Sequence, residues 1–182
     1  MTDRHSAIRL ARLGDAAAIA RVETETWRDA YPTLLPSAYL VQGRGTRLHW
    51  QRRLQGAGRK ILVAETADQR IAAYATWGPL NWRPARPADP PPAQLHELYV
   101  HMDHRENGIG RRLCAEIARR AAGNGARQLY VEVLDGNPSR FFYENLGAQL
   151  ASRGHHDFAG QRLPSVIYLW NDLKSLADRS AA

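Results

Sequence analysis

The chain has 182 residues, of which 44% are hydrophobic and 24% are charged, which is ordinary for a soluble globular protein. This length predicts one domain with a full hydrophobic core rather than two domains. The formal charge of +7 would suit an anionic partner, either nucleic acid or a phosphate-rich cofactor. The arginines are spread along the chain, however, and this favours a role in solubility.

The single cysteine, Cys114, excludes an internal disulfide and favours a reducing compartment, most simply the cytoplasm. The segment from Met1 to Ser6 is polar and lacks the apolar core of a signal peptide. No apolar run has the length that a bilayer-spanning helix needs. The sequence therefore predicts a soluble intracellular protein.

The first third of the chain predicts a strand and two helical stretches. Ile8, Leu10 and Leu13 indicate a short strand that Gly14-Asp15 closes, and Asp15 is a candidate helix cap. Apolar residues then recur at helical spacing as far as about Asp29. After Pro32 and Pro36, a second helical stretch is predicted from about Ser37 to Leu54.

A β-hairpin is predicted next, followed by a loop. Lys60–Glu65 and Ile71–Trp77 are the two strands, with Asp68-Gln69 as the turn between them. The segment from Asn81 to Pro92 holds half of the ten prolines and is therefore expected to be a surface loop.

The middle of the chain predicts a strand, a helix and a strand in succession, at Gln94–His101, Ile109–Ala122 and Gln128–Leu134. One face of this helix is apolar and is expected to be buried: Ile109, Leu113, Cys114, Ile117, Ala118 and Ala121. On the strand, Leu129, Val131 and Val133 share a face. This order implies a parallel strand pair joined by a crossover helix.

The last third predicts a short helix and two strands. Asn137-Pro138 begins the helix and Gly147 ends it. The strands are Gln149–Arg153 and Pro164–Trp170, with Pro164 at the start of its strand or on an edge. The tail after Asn171 is polar. Together these elements predict a three-layer α/β or α+β domain.

The segment from Leu98 to Arg111 is the most informative part of the sequence. It places a strand, a turn with Gly108 and Gly110, and a helix start in direct succession. A helix start exposes unpaired backbone N–H groups, and glycines let an anionic ligand approach them, so the segment predicts a phosphate cradle. It is neither a Walker loop nor a dinucleotide fingerprint, because the required Lys-Ser/Thr and third glycine are missing.

Three motifs in order resemble the GNAT N-acetyltransferase family. Arg105-Glu106-Asn107-Gly108-Ile109-Gly110 is similar to the Arg/Gln-x-x-Gly-x-Gly/Ala pyrophosphate motif of that family. Leu129–Leu134 is similar to its fifth strand, and Asn137 to Gly147 is similar to its Asn-x-x-x-x-x-Tyr-x-x-x-Gly segment. Ala148 and Ala73 depart from the aromatic residue and the glycine that are frequent at those places. The resemblance implies the acyl-coenzyme A N-acyltransferase fold, with a mixed sheet of about six to seven strands, over residues 6–171.

The resemblance also implies a co-substrate and the residues that hold it. The co-substrate is acetyl-coenzyme A. The backbone of Leu98 and Val100, on either side of Tyr99, would bind the pantetheine arm, and Asn137 would hydrogen-bond it. Ser139 to Phe142 would line its far side. The pyrophosphate would lie on the segment that follows the strand: Arg105, Glu106, Asn107, Gly108, Ile109, Gly110 and Arg111. A homodimer is common among such enzymes.

Acetyl transfer to an amine needs a base, a donor for the carbonyl oxygen and an acid for the leaving thiolate. The resemblance makes Tyr143 the general acid, although a packed aromatic beside Phe142 would also explain it. Glu97, on the face of its strand shared with Leu95 and Tyr99, is the best candidate base, directly or through a water. An ordinary strand carboxylate paired with an arginine explains Glu97 equally well.

The acceptor amine remains open between a small molecule and a protein amine. Trp27, Tyr31 and Trp82 are candidates to line its pocket. His101-x-x-His104 and His155-His156 bring no third ligand, so no metal is expected. The alternatives to a catalyst are an acyl-coenzyme A sensor without turnover, which Tyr143 and Asn137 argue against, and a nucleic-acid-binding protein, which rests on charge alone.

Overall fold

The computed structural model of the protein describes residues 6–30, 45–82, 88–158 and 161–179. These residues form seven strands: β1 (Ala7–Leu10), β2 (Lys60–Glu65), β3 (Ile71–Pro79), β4 (Ala93–Val100), β5 (Leu129–Leu134), β6 (Gln149–Phe158) and β7 (Gln161–Trp170). They also form five α-helices: α1 (Ala16–Ala30), α2 (Arg47–Gln55), α3 (Ile109–Gly123), α4 (Arg140–Asn145) and α5 (Leu173–Arg179). Short 3-10 turns cover Leu13–Asp15 and Met102–His104.

The strands form one mixed sheet in the order β1-β2-β3-β4-β5-β7-β6. β4 pairs with β5 in parallel, which confirms the crossover predicted around α3. The chain divides into two compact units. The first comprises Met1–Trp77 and Glu97–Leu113, and the second comprises Gly78–His96 and Cys114–Ala182.

The first unit has its own apolar core, formed where α1 and α2 pack with the β2-β3 hairpin. The buried residues of this core include Ile19, Val22, Trp50, Val63 and Tyr74. The Trp50 and Tyr74 rings meet edge to face, with centroids 4.8 Å apart. Helix α2 begins at a true cap, because the Thr46 side chain accepts a hydrogen bond from the amide of His49.

The part of α3 that lies in the second unit, from Cys114 onward, has a buried apolar face. Cys114, Ile117 and Ala118 are fully buried, as the helical spacing predicted. The inward residues of β5 are matched across the antiparallel ladder by inward residues of β7, and all of them are buried: Leu129 with Trp170, Val131 with Tyr168, and Val133 with Val166. The alternation predicted for β5 is therefore confirmed.

Several predicted boundaries need correction at the ends of elements. β1 ends at Leu10, and Leu13 is an exposed residue of the following 3-10 turn. The second helix begins at Arg47 rather than Ser37, and residues 31–44 lie outside the described part of the chain. The Asn137-Pro138 pair forms a turn, and the helix that follows begins at Arg140.

Pro164 was predicted at a strand start or on an edge, and this is wrong. It lies inside β7, opposite His155 of β6. Its carbonyl accepts the amide of Asp135 at 2.9 Å, just beyond Leu134, where β5 has ended. In an antiparallel ladder the N–H and C=O of one residue face the same neighbour. The backbone nitrogen of Pro164, which has no hydrogen, therefore faces the region beyond the end of β5. No strand carbonyl of the described residues requires a donor there.

The tail after Asn171 was predicted to be polar, but it forms helix α5. Leu173, Leu176 and Ala177 are buried at this helix, while Lys174 and Asp178 are exposed. The apolar residues recur at three- and four-residue spacing, which is the pattern of an amphipathic helix. This pattern covers only two helical turns, so it was too short to predict the helix. In the described part of the chain, no helix combines the length and apolarity that crossing a bilayer requires.

Truncating Ile117 to alanine should destabilise the protein strongly, because this side chain is completely buried on α3. We expect the free energy of unfolding to fall by about 2–5 kcal/mol. Arg119→Ala on the same helix is the matched control, since half of that side chain is exposed, and it should change the free energy by less than about 0.5 kcal/mol. Urea denaturation followed by circular dichroism measures both. Equal losses in the two variants would contradict the assigned buried face.

Candidate active site

The turn between β4 and α3 has the geometry of an anion cradle. The amide of Arg112 makes the first intrahelical hydrogen bond, to the Gly108 carbonyl at 3.0 Å. The amides of Ile109, Gly110 and Arg111 precede that bond, at the positive end of the helix dipole. No acidic residue occupies the first turn of this helix, so no carboxylate of its own competes there.

The backbone of this turn is held in an unusual conformation. Glu106 and Gly108 have positive φ values of 62° and 73°. A β-carbon on Gly108 would meet no atom of the described residues within 4 Å, so the surface that they form beside this residue is open. Two of the three consecutive residues 106–108 are left-handed, and this conformation rotates successive peptide groups. Short loops direct amides toward a bound anion in this way. The predicted phosphate cradle therefore fits an anionic group at the helix start.

The strand end that leads into the cradle is anchored on both sides. The amide of His101 donates to the Ala72 carbonyl at 2.8 Å, and its Nε2 lies 2.8 Å from the Glu25 carboxylate. Arg105 is exposed, and its Nε donates to the carbonyl of Val100 at 3.2 Å. The first residue of the loop is thus held by contacts within the first unit, and the guanidinium of Arg105 lies beside the end of β4.

Glu97 is held by two side chains from other elements. Arg53 of α2 donates to both carboxylate oxygens, with Nη1–Oε1 at 3.1 Å and Nη2–Oε2 at 2.7 Å. The Thr76 hydroxyl of β3 donates to Oε2 at 3.0 Å. The arginine pairing that the sequence left open as an explanation of Glu97 is therefore present.

Aromatic side chains surround this ion pair in the first unit. The Arg53 guanidinium lies 4.1 Å from the centre of the Trp50 ring, and Trp50 Nε1 donates to buried Glu23 at 2.8 Å. Tyr74 packs against Tyr99. Its hydroxyl is buried and has no hydrogen-bond partner among the described residues. Burial raises the pKa of Tyr74 well above its usual value, and the charge of Glu97 adds to this, so the hydroxyl stays neutral.

The second unit contains the predicted acid and the predicted pantetheine ligand. Tyr143 is buried on α4, with its ring 5.1 Å from Phe142 and 5.9 Å from Trp170. Asn137 is buried, and its Oδ1 accepts the amide of Ser139 at 2.8 Å. Asn137 therefore shapes the turn that leads into α4, the helix that carries Tyr143.

Two of the three candidate acceptor residues, Trp27 and Trp82, lie in the described part of the chain. Trp27 packs against Tyr99 in the first unit, at 6.2 Å between ring centroids. In the second unit Trp82 packs edge-on against Tyr130 of β5 at 5.8 Å, so it has a packing role that the sequence did not indicate. Tyr31 lies outside the described residues.

The histidine pairs take part in other contacts. His101 pairs with Glu25, and His156 Nδ1 lies 3.1 Å from Glu132, while His155 is exposed. Within the described ranges, no group of three or more His, Cys, Asp or Glu side chains could hold a metal ion.

Sequence reasoning missed the residues that hold Glu97. Arg53 and Trp50 are three residues apart on α2 and so lie on one helix face. Thr76 is a polar residue inside an otherwise apolar strand and is completely buried. A buried hydroxyl needs a hydrogen-bond partner, so Thr76 indicated that a polar contact lies nearby. The identity of that partner depends on strand register, which the sequence alone does not determine.

Comparisons with known proteins identify the family of this chain. The model of the Acetyltransferase (GNAT) family matches residues 18–148. YuaI of Bacillus subtilis (strain 168), described as an uncharacterized N-acetyltransferase, is 27% identical over 93% of this chain and 95% of its own length. The PaiA N-acetyltransferase of Thermoplasma acidophilum, solved in complex with coenzyme A, is 18% identical over 89% of this chain and 98% of its own, with a TM-score of 0.69.

A further solved structure has a similar fold. YncA of Salmonella typhimurium, solved with its cofactor acetyl-CoA, is 20% identical over 92% of this chain and 94% of its own, with a TM-score of 0.64. The fold and the matched residues together define the class: the chain belongs to the GNAT acetyltransferase family. It is an acyltransferase, and acetyl transfer to an amine is the activity typical of that family.

Cys114 should be inert in the native protein. It is completely buried, and burial raises the pKa of its thiol to about 12. The thiolate is the reactive form, so the thiol should not react with Ellman's reagent at pH 8 until the protein is unfolded. Absorbance at 412 nm with and without guanidinium chloride measures this. Rapid reaction of the folded protein would contradict the assigned burial.

Proposed function

We propose that the protein transfers the acetyl group of acetyl-coenzyme A directly to a primary amine. The observation that carries this proposal is the open cradle at the start of α3, with amides at Ile109 to Arg111 and no acidic residue in the first turn. A diphosphate is the part of coenzyme A that such a cradle would hold. The coenzyme A and acetyl-CoA present in the PaiA and YncA structures support the same donor.

The strand that precedes the cradle offers a place for the pantetheine arm. The ladder between β4 and β5 covers Ala93 to Leu95. Leu98 and Val100 follow this paired segment, and the residues from His96 to Val100 are only half-buried. Backbone groups beyond the end of a ladder can bind an extended ligand as an added strand. In this proposal Asn137 hydrogen-bonds the arm, and Ser139 and Phe142 line its far side.

The proposed chemistry moves two protons and exchanges one bond. The nitrogen of the amine forms a bond to the thioester carbon, and the carbon–sulfur bond breaks. Glu97 takes a proton from the attacking amine, directly or through a water, and a backbone N–H at the end of β4 donates to the carbonyl oxygen. Tyr143 gives its hydroxyl proton to the leaving thiolate, whose conjugate acid has an ordinary pKa of about 8.5.

The acceptor in this proposal is a primary amine, on a small molecule or a protein. Trp27 on the first unit is a candidate contact for it, because its ring lies against Tyr99, two residues after Glu97. Trp82 and Tyr31 remain candidates from the sequence. We place the reaction in the cytoplasm, since the one cysteine cannot form an internal disulfide.

Placing a side chain on Gly108 should weaken binding of the diphosphate. The residue has φ of 73°, so Gly108→Ala costs about 1–2 kcal/mol of strain and puts a methyl group on the open surface. We expect the dissociation constant for coenzyme A to rise at least about tenfold by isothermal titration calorimetry. The Michaelis constant for acetylpantetheine, which lacks the diphosphate, should stay unchanged.

Gly58→Ala is the matched control for this measurement. Gly58 has no atom within 4 Å of the added methyl group, and its φ is not in the left-handed region. Coenzyme A should bind this variant as it binds the wild type. Unchanged binding by Gly108→Ala would remove the cradle from the proposal.

Removing the Tyr143 hydroxyl should slow turnover. Tyr143→Phe keeps the ring that packs on Trp170 and removes only the proposed proton donor. We expect kcat to fall by about 10²-fold or more and the alkaline limb of its pH profile to disappear. Thiol release from acetyl-CoA is measured with benzylamine, tyramine, putrescine, L-lysine and a tripeptide with a free N-terminus.

Tyr130→Phe is the control, because it removes a different tyrosine hydroxyl from the same unit, one that contacts Gln128. Its rate should match the wild type. A Tyr143→Phe enzyme with an unchanged rate and pH profile would rule out the acid assignment. Absence of amine-dependent thiol release in the wild type would argue against the proposed function itself.

A further inference from the structure

We propose that Arg53 is a positioning residue of the acetyl transfer, which orients Glu97 so that one defined lone pair of its carboxylate receives the proton of the amine. This inference rests on the proposed function, because it concerns the base of that reaction. It adds a residue from α2, an element that carries none of the family motifs recognised in the sequence.

The hydrogen bonds around Glu97 leave a single acceptor position. A carboxylate has about four lone-pair sites, two on each oxygen. Oε2 accepts from Arg53 at 2.7 Å and from Thr76 at 3.0 Å, so both of its sites are used. Oε1 accepts from Arg53 at 3.1 Å and keeps one site among the contacts of the described residues. A proton can therefore arrive at only one oxygen and from one direction.

Arg53 is itself fixed before any substrate binds. Its guanidinium lies 4.1 Å from the centre of the Trp50 ring, and Trp50 Nε1 is bonded to Glu23. The helix that carries both residues starts at the Thr46 cap. A planar donor that is stacked on a fixed ring and makes two parallel hydrogen bonds transmits its orientation to the carboxylate.

The charge of Arg53 is secure in this environment. Burial acts to lower the pKa of the guanidinium, but its hydrogen bonds and charge interaction with Glu97 prevail and raise it. The titratable groups that face this pair are Glu23 of α1, Tyr74 of β3 and Tyr99 of β4, the strand that also carries Glu97. Of these, Tyr74 stays neutral, so Arg53 is the cation that balances Glu97 among the described residues.

This arrangement has a consequence for how the loss of Arg53 divides between kcat and KM. A residue that orients the base acts on the proton transfer and leaves the binding of acetyl-CoA unaltered. An arginine that only held α2 in place would change the amount of folded enzyme. It would leave the rate per folded molecule unaltered.

The test measures kcat and KM per folded molecule with acetyl-CoA and the fastest of the five amines named above. Arg53→Gln, which loses the charge and the two-pronged contact, should lower kcat by about 10²-fold. The KM for acetyl-CoA should change less than twofold. Arg53→Lys keeps the charge without the two-pronged contact, and it should lose only about tenfold in kcat.

Two further variants isolate the geometry. Thr76→Val removes the second donor to Oε2 at nearly constant volume, and it should lower kcat by less than Arg53→Gln does. Arg52→Gln is the control, because Arg52 is exposed on the same helix, and its kcat and KM should equal those of the wild type. Thermal melting, and coenzyme A binding to each variant, verify that the fold is intact.

The outcomes separate this inference from the proposal on which it rests. A folded Arg53→Gln enzyme with the wild-type kcat, or with a KM for acetyl-CoA that rises as much as kcat falls, overturns the positioning role and leaves the acetyl transfer standing. A wild-type enzyme that is inactive with every amine overturns both. A fall in kcat alone in Arg53→Gln, partial restoration in Arg53→Lys and wild-type kinetics in Arg52→Gln support the inference.

Discussion

The structure depends above all on one backbone event, the passage of β4 into α3 through a turn with two left-handed residues. A helix start leaves amides without partners, and a protein must either cap them or use them. Here the first turn of α3 contains no acidic side chain, and the surface beside Gly108 is open. The β4 end that leads into this turn is tied by His101 to Ala72 and Glu25, so the amides have a fixed origin.

A second constraint is the cost of carrying carboxylates in an aromatic interior. Glu23 is nearly inaccessible to solvent, and Glu97 is mostly covered. Each such group requires hydrogen-bond donors, because an unpaired charge in a dry environment is costly. Trp50 serves the first carboxylate, and Arg53 with Thr76 serves the second. The same donors that make burial tolerable also fix the orientation of Glu97, so stability and proposed catalysis draw on one set of contacts.

Sequence periodicity predicted the elements whose apolar pattern is long. The buried face of α3, the alternation of β5 and the parallel crossover were all obtained from spacing, because burial on one face forces that pattern. The short or unusual elements were not. Helix α5 offers only two turns of pattern, and Pro164 was excluded from a strand interior by a rule about ladder donors. That rule does not apply where the neighbouring strand has already ended.

The sequence by itself determined the family, because the motifs that carry the resemblance are local and their residues lie close together in the chain. It also supplied the proposed anion cradle and the candidate acid and base. Only the tertiary structure decided what surrounds Glu97. Arg53 lies 44 residues before it and Thr76 21 residues before it, and both reach it through the packing of α2 and the pairing of strands. Spacing along the chain reports which face a residue occupies. It does not report which distant residue arrives opposite, because that depends on register and on where each helix lies against the sheet.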